Sequence, residues 1–596
     1  RALKQRELPI TVCIGNPPYS IGQKSANDNA QNLSYPKLDS RIMNTYAASS
    51  KANLKKGLYD LYIKAFRWAS DRIKNNGIVA FITNGSYIDN QGMDGFRKCL
   101  LDEFTSIYVF NLRGNARTSG EQRRKEKDNV FGIGTRTPVA ITLLIKNSEK
   151  NNDKYIHYYD IGDYLSREQK LNIINKFNNI NNIEWKHITP DENNDWINKR
   201  KHEFKTFIPL APSRKHDINC KSVFNNYAIG IVSSRDCWVY NYSKRKLENN
   251  IISSINFYNQ ELKRYQSISS LNMDSKKISW SAGLKSLIRR KESIVFNKES
   301  ITDGIYRPYV KEKLYYNDKL IERPGKMKEL FINSNKLIMT SGVGSNKAFS
   351  VYMVDLIPSL DTLEKGQCFP LYWYEKNNEN TLFNNKQIIK HDAISDFIKK
   401  IVTNQYKRNI EKEEIFYYVY GLLHSKDYSR AFASDLKKSL PRIPIVDTYE
   451  EFVAFSEAGK KLANLHLNYE QVKPYSKCKI FMYPGADYKV TKMKFGKSKN
   501  NNKDKTIIEY NDKITISNIP EKAYEYIVNG KSAIEWVMER YAVTIDKKSG
   551  IKNDPNDWCK EVNDEKYIFN LLLRIINVSI QTVDIVNSLP KLDFKD

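Results

Sequence analysis

Asn16, Pro17, Pro18 and Tyr19 follow a short apolar run, Ile10 to Gly15, and their types and spacing suggest chemistry. Asn16 offers a side-chain carbonyl. Pro17 offers a backbone carbonyl, and neither proline has a backbone N–H to donate. Tyr19 offers a flat ring. Within one turn, two acceptors and a ring suit a planar ligand bearing an exocyclic amine. The carbonyls would hold the N–H groups while the ring stacks on the heterocycle. The same residues also read as a rigid strand exit, because the residue before a proline is pushed to extended geometry and Asn is an ordinary turn former.

The surrounding elements that must position this turn follow an α/β pattern. Ile10–Gly15 is continuous and rich in β-branched residues, which predicts a buried strand. Leu58, Leu61, Tyr62, Ala65, Phe66, Ala69 and Ile73 recur at helical spacing, with Gly77 as the stop. Ile78–Asn84 reads as a second buried strand, Gly92–Phe104 as a helix, Ser106–Leu112 as a third strand and Thr137–Asn147 as a fourth. Strands alternating with helices predict a sheet covered on both faces. Between the third and fourth strands, Arg113 to Pro138 is a long, basic, Gly-rich loop. Arg113, Arg117, Arg123, Arg124 and Lys125 could reach phosphates there, or simply form a solvated charge run. Beyond about Lys150 the pattern turns irregular, with an Asn-rich stretch that reads as a surface connection. Aromatic residues then interleave with Lys and Arg, as in "GIVSSRDCWVYNYSKRK" and "GIYRPYVKEKLYYND". Such segments suit a surface that grips nucleic acid, or a core whose aromatic residues neighbour surface lysines.

At 596 residues the chain is too long for one core. Its formal net charge of +28 favours an anionic partner, most simply nucleic acid. Seven cysteines without a Cys-x-x-Cys pair, and seven histidines without metal-ligand spacing, point away from a zinc site and suit a reducing cytoplasm. No apolar run approaches about 18 residues, so no membrane span is expected.

Asn-Pro-Pro-Tyr after an apolar strand resembles the catalytic motif of the amino-methyltransferases that act on adenine in DNA. The resemblance implies that Asn16 and the Pro17 carbonyl accept from the adenine amine, that Pro18 stiffens the turn, and that Tyr19 stacks on a base flipped from the duplex. It also implies S-adenosylmethionine as methyl donor, and places Asp60, which opens Asp60-Leu61-Tyr62, beside that cofactor. A second resemblance covers nearly the whole chain. "YVFNLRGNARTSGE", "SRDCWVYN", "GQCFPLYWYE", "LPRIPI" and "VNGKSAIEWVMERYAV" look like the single-chain Type I, or Type ISP, restriction-modification enzymes. In that family a nuclease and an ATP-driven DNA motor precede this region.

The expected architecture is therefore the distal half of a Rossmann-like methyltransferase (residues 1–200), followed by a mixed α+β target-recognition region (201–400) and a C-terminal specificity domain (401–596), with double-stranded DNA as partner. Only 15 residues precede Asn16, too few for the family's glycine-rich cofactor motif. A permuted site at Phe131–Thr135 or Thr340–Ser345 is the alternative position, although a lone Gly-x-Gly is a weak signal. Asn529–Ser532 carries Gly-Lys-Ser but has Glu525 where a phosphate loop needs glycine, so no ATPase site is expected. Two other functions stay open: a catalytically inactive DNA-specificity fragment, and a methyltransferase for RNA or protein.

Overall fold

The computed structural model describes residues 8–19, 35–52, 55–118, 120–151, 153, 155–212, 221–268, 270–376, 388–498 and 503–594. Two compact units divide the chain after His202.

The first unit carries a six-stranded sheet. Its elements are β1 (Val12–Gly15), α1 (Pro36–Ile42), α2 (Leu61–Arg72), β2 (Asn76–Asn84), α3 (Asp94–Glu103), β3 (Ser106–Arg113), α4 (Gly120–Glu126), β4 (Val139–Asn147), β5 (Ile156–Asp160), α5 (Arg167–Phe177) and β6 (Lys186–Ile188). The order across the sheet is β1-β2-β4-β3-β5-β6. β1 runs parallel to β2, with Gly15 opposite Phe81, and β3 runs parallel to β5. β4 is antiparallel to both of its neighbours, β2 and β3.

The four strands and two helices expected from periodicity are all present. The character of β1 differs from expectation. It forms an edge of the sheet, and only Cys13 is buried, whereas Val12 is 51% and Ile14 79% exposed. A β-branched run cannot report whether anything covers its second face.

The Asn-rich stretch also differs from a loose surface connection. Trp196 is buried with its ring edge on Tyr87, and Asp195 meets Arg97 at 3.0 Å. Arg97, fully buried, also donates to the carbonyls of Tyr87, Asn90 and Asn194. One guanidinium thus ties the end of this unit to α3.

The second unit is mixed. Its elements needed below are β7 (Ala228–Ile229), β8 (Tyr240–Asn241), β9 (Ile301–Arg307), β10 (Val310–Tyr315), β11 (Leu337–Thr340), β12 (Val351–Val354), β13 (Ile357–Pro358), β14 (Gln367–Pro370), α6 (Lys412–Leu423), α7 (Tyr449–Leu467), β15 (Lys479–Met482), β16 (Lys494–Lys497), β17 (Lys503–Glu509), β18 (Ile514–Ser517) and α8 (Tyr567–Asn587). They build sheets of order β13-β9-β10-β8, β12-β11-β14-β7 and β15-β18-β17-β16. The position 400/401 lies inside the helix Asp396–Tyr406.

Many of the aromatic residues that could have faced nucleic acid are core. Tyr309, Tyr315, Tyr418 and Tyr420 are fully buried. α6 and α7 pack closely because Gly421 and Gly459 face each other's backbone. A Cβ on Gly421 would sit 2.1 Å from the Phe455 carbonyl oxygen, and one on Gly459 1.9 Å from that of Tyr417.

α8 corrects the sequence reading on one point. Its 21 residues, with a mean hydropathy of 1.4 over the most apolar window, are long and apolar enough to cross a membrane. Ile568, Leu571, Leu572, Ile575 and Ile576 are buried in the core of this unit. Its apolarity therefore matches that of a core helix.

Candidate active site

The Asn16–Tyr19 turn leaves the carboxyl end of β1, next to the carboxyl end of β2, to which β1 runs parallel. Ligands of open α/β sheets bind at the carboxyl ends of parallel strands. Asn16 and Pro18 are exposed, and Pro17 and Tyr19 are partly buried.

The Tyr19 hydroxyl shares its single proton between two acceptors, Asn16 Oδ1 at 3.2 Å and the Ile82 carbonyl, on β2, at 3.4 Å. The Tyr19 ring meets Tyr62 edge-on, with centroids 6.1 Å apart and an interplanar angle of 81°. Tyr62 is buried on α2, the helix that directly precedes β2. Sequence reasoning singled out Tyr62 only as part of a motif and of an apolar helix face. Its supporting role follows from the approach of two elements, which no local pattern announces.

Asn16 Oδ1 has two lone pairs and takes one hydrogen from Tyr19, so it can accept another from a ligand. Burial pushes the Tyr19 phenol up to about 12. At neutral pH the turn therefore presents uncharged acceptors and a neutral ring. It can orient an amine and hold its N–H groups, and it holds no group poised to remove a proton near pH 7.

Asp60 occupies the position before α2, with φ −63° and ψ 146°, and its carbonyl accepts from the Lys64 N–H at 3.0 Å. It is partly buried, and its carboxylate is one of the charges that raise the Tyr62 phenol, after burial itself.

The basic loop is more ordered than its composition suggests. α4 interrupts it, and the buried Lys170 ammonium on α5 donates to the carbonyls of Leu112, Glu126 and Asp128 at 2.7–3.2 Å. Burial brings that ammonium down to about 8. Asn129 bridges the Gly114 and Thr137 carbonyls.

Within this frame the arginines separate. Arg113 is paired with Asp160 at 2.6 Å and with Asp163, so its guanidinium is turned to carboxylates of its own unit. Arg124 pairs with Glu121 at 2.8 Å on the surface, and Lys125 approaches Asp163 at 3.5 Å. Arg123 donates to the Lys127 carbonyl. Arg117 is exposed, with no ion pair among the described residues.

The glycine stretches considered as cofactor turns do not sit at strand-to-helix junctions. Gly132–Gly134 is an exposed 3₁₀ turn, and Thr340–Ser345 joins β11 to the antiparallel β12. Helix N-termini that bind phosphate follow a strand directly, and neither stretch supplies one.

Residues 222–571 match the family described as the Type ISP C-terminal specificity domain, and residues 9–117 match the Eco57I restriction-modification methylase family. The chain belongs to the Type ISP restriction-modification family. It is 40% identical, with a TM-score of 0.87, to a nuclease-deletion mutant of the Type ISP enzyme LlaGI solved with a DNA substrate mimic. It is 38% identical, at 0.86, to the ATP-dependent Type ISP enzyme LlaBIII bound to DNA, and 32% identical, at 0.85, to DrdV in a DNA complex. All of this chain is covered in each comparison, against 54%, 38% and 58% of those chains. The Type ISP chain described here thus spans about half the length of these relatives, with a methylase region followed by a specificity domain.

Proposed function

We propose that this chain forms the base-holding half of an adenine-specific DNA methyltransferase together with its target-recognition region, acting in the cytoplasm within a Type ISP system. The observation that carries the reading is the turn after β1: the Asn16 and Pro17 carbonyls and the Tyr19 ring lie at the carboxyl ends of two parallel strands. Asn16 Oδ1 and the Pro17 carbonyl would accept from the two N–H groups of a flipped adenine. Tyr19 would stack on its ring. Held this way, the amine lone pair leaves conjugation and becomes nucleophilic, an effect of positioning and electrostatics that needs no prior proton removal. The strand order, with antiparallel β4 inserted between β2 and β3, fits the distal half of a Rossmann-like methyltransferase sheet.

S-adenosylmethionine would be the methyl donor. Asp60 is the candidate to hold it, and among the described residues no glycine turn cradles it. The free edge of β1 offers the place where a cofactor-binding half would add its strands. The nuclease and motor named for the family's complete enzymes would be partners in the same assembly.

Transfer of labelled methyl to duplex DNA, with Asn16→Ala as control, tests this. Label on adenine that the substitution abolishes supports the reading. DNA binding without transfer favours the second reading, a specificity module, which the uncovered β1 and the lack of a glycine cradle among the described residues already recommend. Label on RNA or protein alone would overturn both.

A further inference from the structure

Three polar side chains meet on one face of the sheet β13-β9-β10-β8. β10 pairs Leu314 with Tyr240 on β8, and side chains alternate along a strand, so Glu312 lies on the Tyr240 side. Tyr306 joins them from β9, at the register shift between Ile305 and Arg307, with its ring 4.8 Å from that of Tyr240. All three line a cavity of about 500 Å³. That volume is in the range of small-ligand sites.

Two of these groups are buried without the partners they need. Glu312 is 3% exposed, and Asn553 Nδ2 donates to it at 2.9 Å. It forms no ion pair among the described residues. Arg307 lies over the Tyr306 ring at 4.1 Å, and Arg540 pairs with Glu539 at 3.2 Å. Tyr240 is also 3% exposed, and its hydroxyl has no hydrogen-bond partner among the described residues. The charges of Asp236 and Glu312 act on that hydroxyl. A buried carboxyl without a cation and a buried hydroxyl without a partner each carry a desolvation cost that a bound ligand would relieve.

The charge of the wall selects the ligand. It carries Asp236, Glu312, Glu539 and Asp546 against Arg235, Arg540 and Lys548. Arg235 is turned to the Leu320 carbonyl, Ser281 and Glu322, and Glu539 offsets Arg540. Three carboxylates then face one lysine, in a chain whose net charge is +28. An anion would meet those carboxylates, and a neutral ligand would leave Glu312 without a counter-charge. Carboxylates beside aromatic rings suit an organic cation. A hard metal ion would need a fuller set of oxygen ligands.

We propose that this cavity binds a small alkylammonium ion, with its N–H groups taken by Glu312 and the Tyr240 hydroxyl oxygen and its carbon chain against the Tyr240 and Tyr306 rings. The site belongs to the second unit and does not depend on the function proposed above.

Calorimetric titration of the full chain with 1,4-diaminobutane tests this, with 1,4-butanediol as the uncharged control. The diamine should bind at pH 8 and the diol should not. Burial holds the free Glu312 carboxyl at about 7, against the lowering effects of Asn553, Arg307 and Arg540. The diamine stays charged between pH 6 and pH 8, no histidine lines the cavity, and burial raises the Cys237 thiol further above that range. Affinity should therefore fall about 10-fold from pH 8 to pH 6, as Glu312 takes up its proton. Glu312→Gln should weaken binding about 10-fold or more at pH 8 and abolish the pH dependence, while keeping an acceptor for Asn553. Tyr240→Phe removes only the unpartnered hydroxyl, so it should fold like the parent and weaken binding about 3-fold or more. It decides the matter if Glu312→Gln does not fold. Absence of diamine binding, equal binding of the diol, or diamine binding that neither substitution changes would overturn the inference.

Discussion

Tyr19 has two separable features, a ring and an anchored hydroxyl. The hydroxyl holds the ring through Asn16 Oδ1 and the Ile82 carbonyl, and the ring is the part a base would meet. Tyr19→Phe should therefore keep most methyl transfer in an assembly that supplies the cofactor half, losing about 10-fold or less. Tyr19→Ala should lose about 10²-fold, on the scale of removing one positioned group from an active site. The kcat of the two variants under saturating DNA checks this, and equal losses would mean that the hydroxyl, not the ring, is what matters.

Glu312, on β10, makes a second residue-scale case. Burial raises its carboxyl to about 7, against the lowering effects of the Asn553 amide, Arg307 and Arg540. The Asn553 Nδ2 donates to it at 2.9 Å. The folded chain thus keeps this proton to higher pH than the unfolded chain does. The associated stability is complete below the ordinary value of 4.5 and is lost as pH rises to about 7. The loss is on the order of 3 kcal/mol by the size of the shift. Denaturant unfolding of Glu312→Gln at pH 5 and pH 8 should show that difference largely removed, and an unchanged difference would place the titration elsewhere.

At the scale of elements, the approach of backbones decides what the helices can tolerate. α6 and α7 touch through Gly421 and Gly459, each facing the other helix's carbonyl oxygens. Gly421→Ala or Gly459→Ala would gain helix propensity of about 1 kcal/mol. Each added methyl would nevertheless meet a backbone oxygen at about 2 Å, and the helices would have to separate. Overpacking of this kind costs about 1–3 kcal/mol or more, so both variants should be destabilised despite the better helix former. A rise in Tm for either would show that the helices separate freely. The loop after β3 illustrates the same scale. Composition read it as a long basic loop whose cations reach phosphates or solvent, but Lys170, with three carbonyl partners, closes it against α5, and Arg113 turns inward to Asp160 and Asp163.

For the molecule as a whole, the net charge of +28 governs the first encounter with an anionic partner. DNA affinity should fall steeply and linearly with the logarithm of salt, by about 10³-fold or more between about 50 and 200 mM if six or more phosphates are neutralised. Anisotropy across that range checks it. A flat response would mean that the lysine excess is a general property of the surface and contributes little to binding.

Local structure and the family were legible in the sequence. The Asn-Pro-Pro-Tyr turn, the alternation of strands and helices over residues 10–147 and the resemblance to Type ISP enzymes all follow from residue types at short spacing, because backbone preference and hydrophobic periodicity are local properties. Tertiary structure decided the partners. It brought the Ile82 carbonyl and the Tyr62 ring to Tyr19, diverted Arg113 to Asp160 and Asp163, buried Trp196 at the end of an Asn-rich stretch, and left Val12 and Ile14 uncovered. In each case the deciding neighbour is far away in the chain or, for β1, absent on one side among the described residues. A one-dimensional pattern can report that a residue is apolar or charged. Which surface it meets depends on strand register and helix packing, which are settled only when distant segments come together.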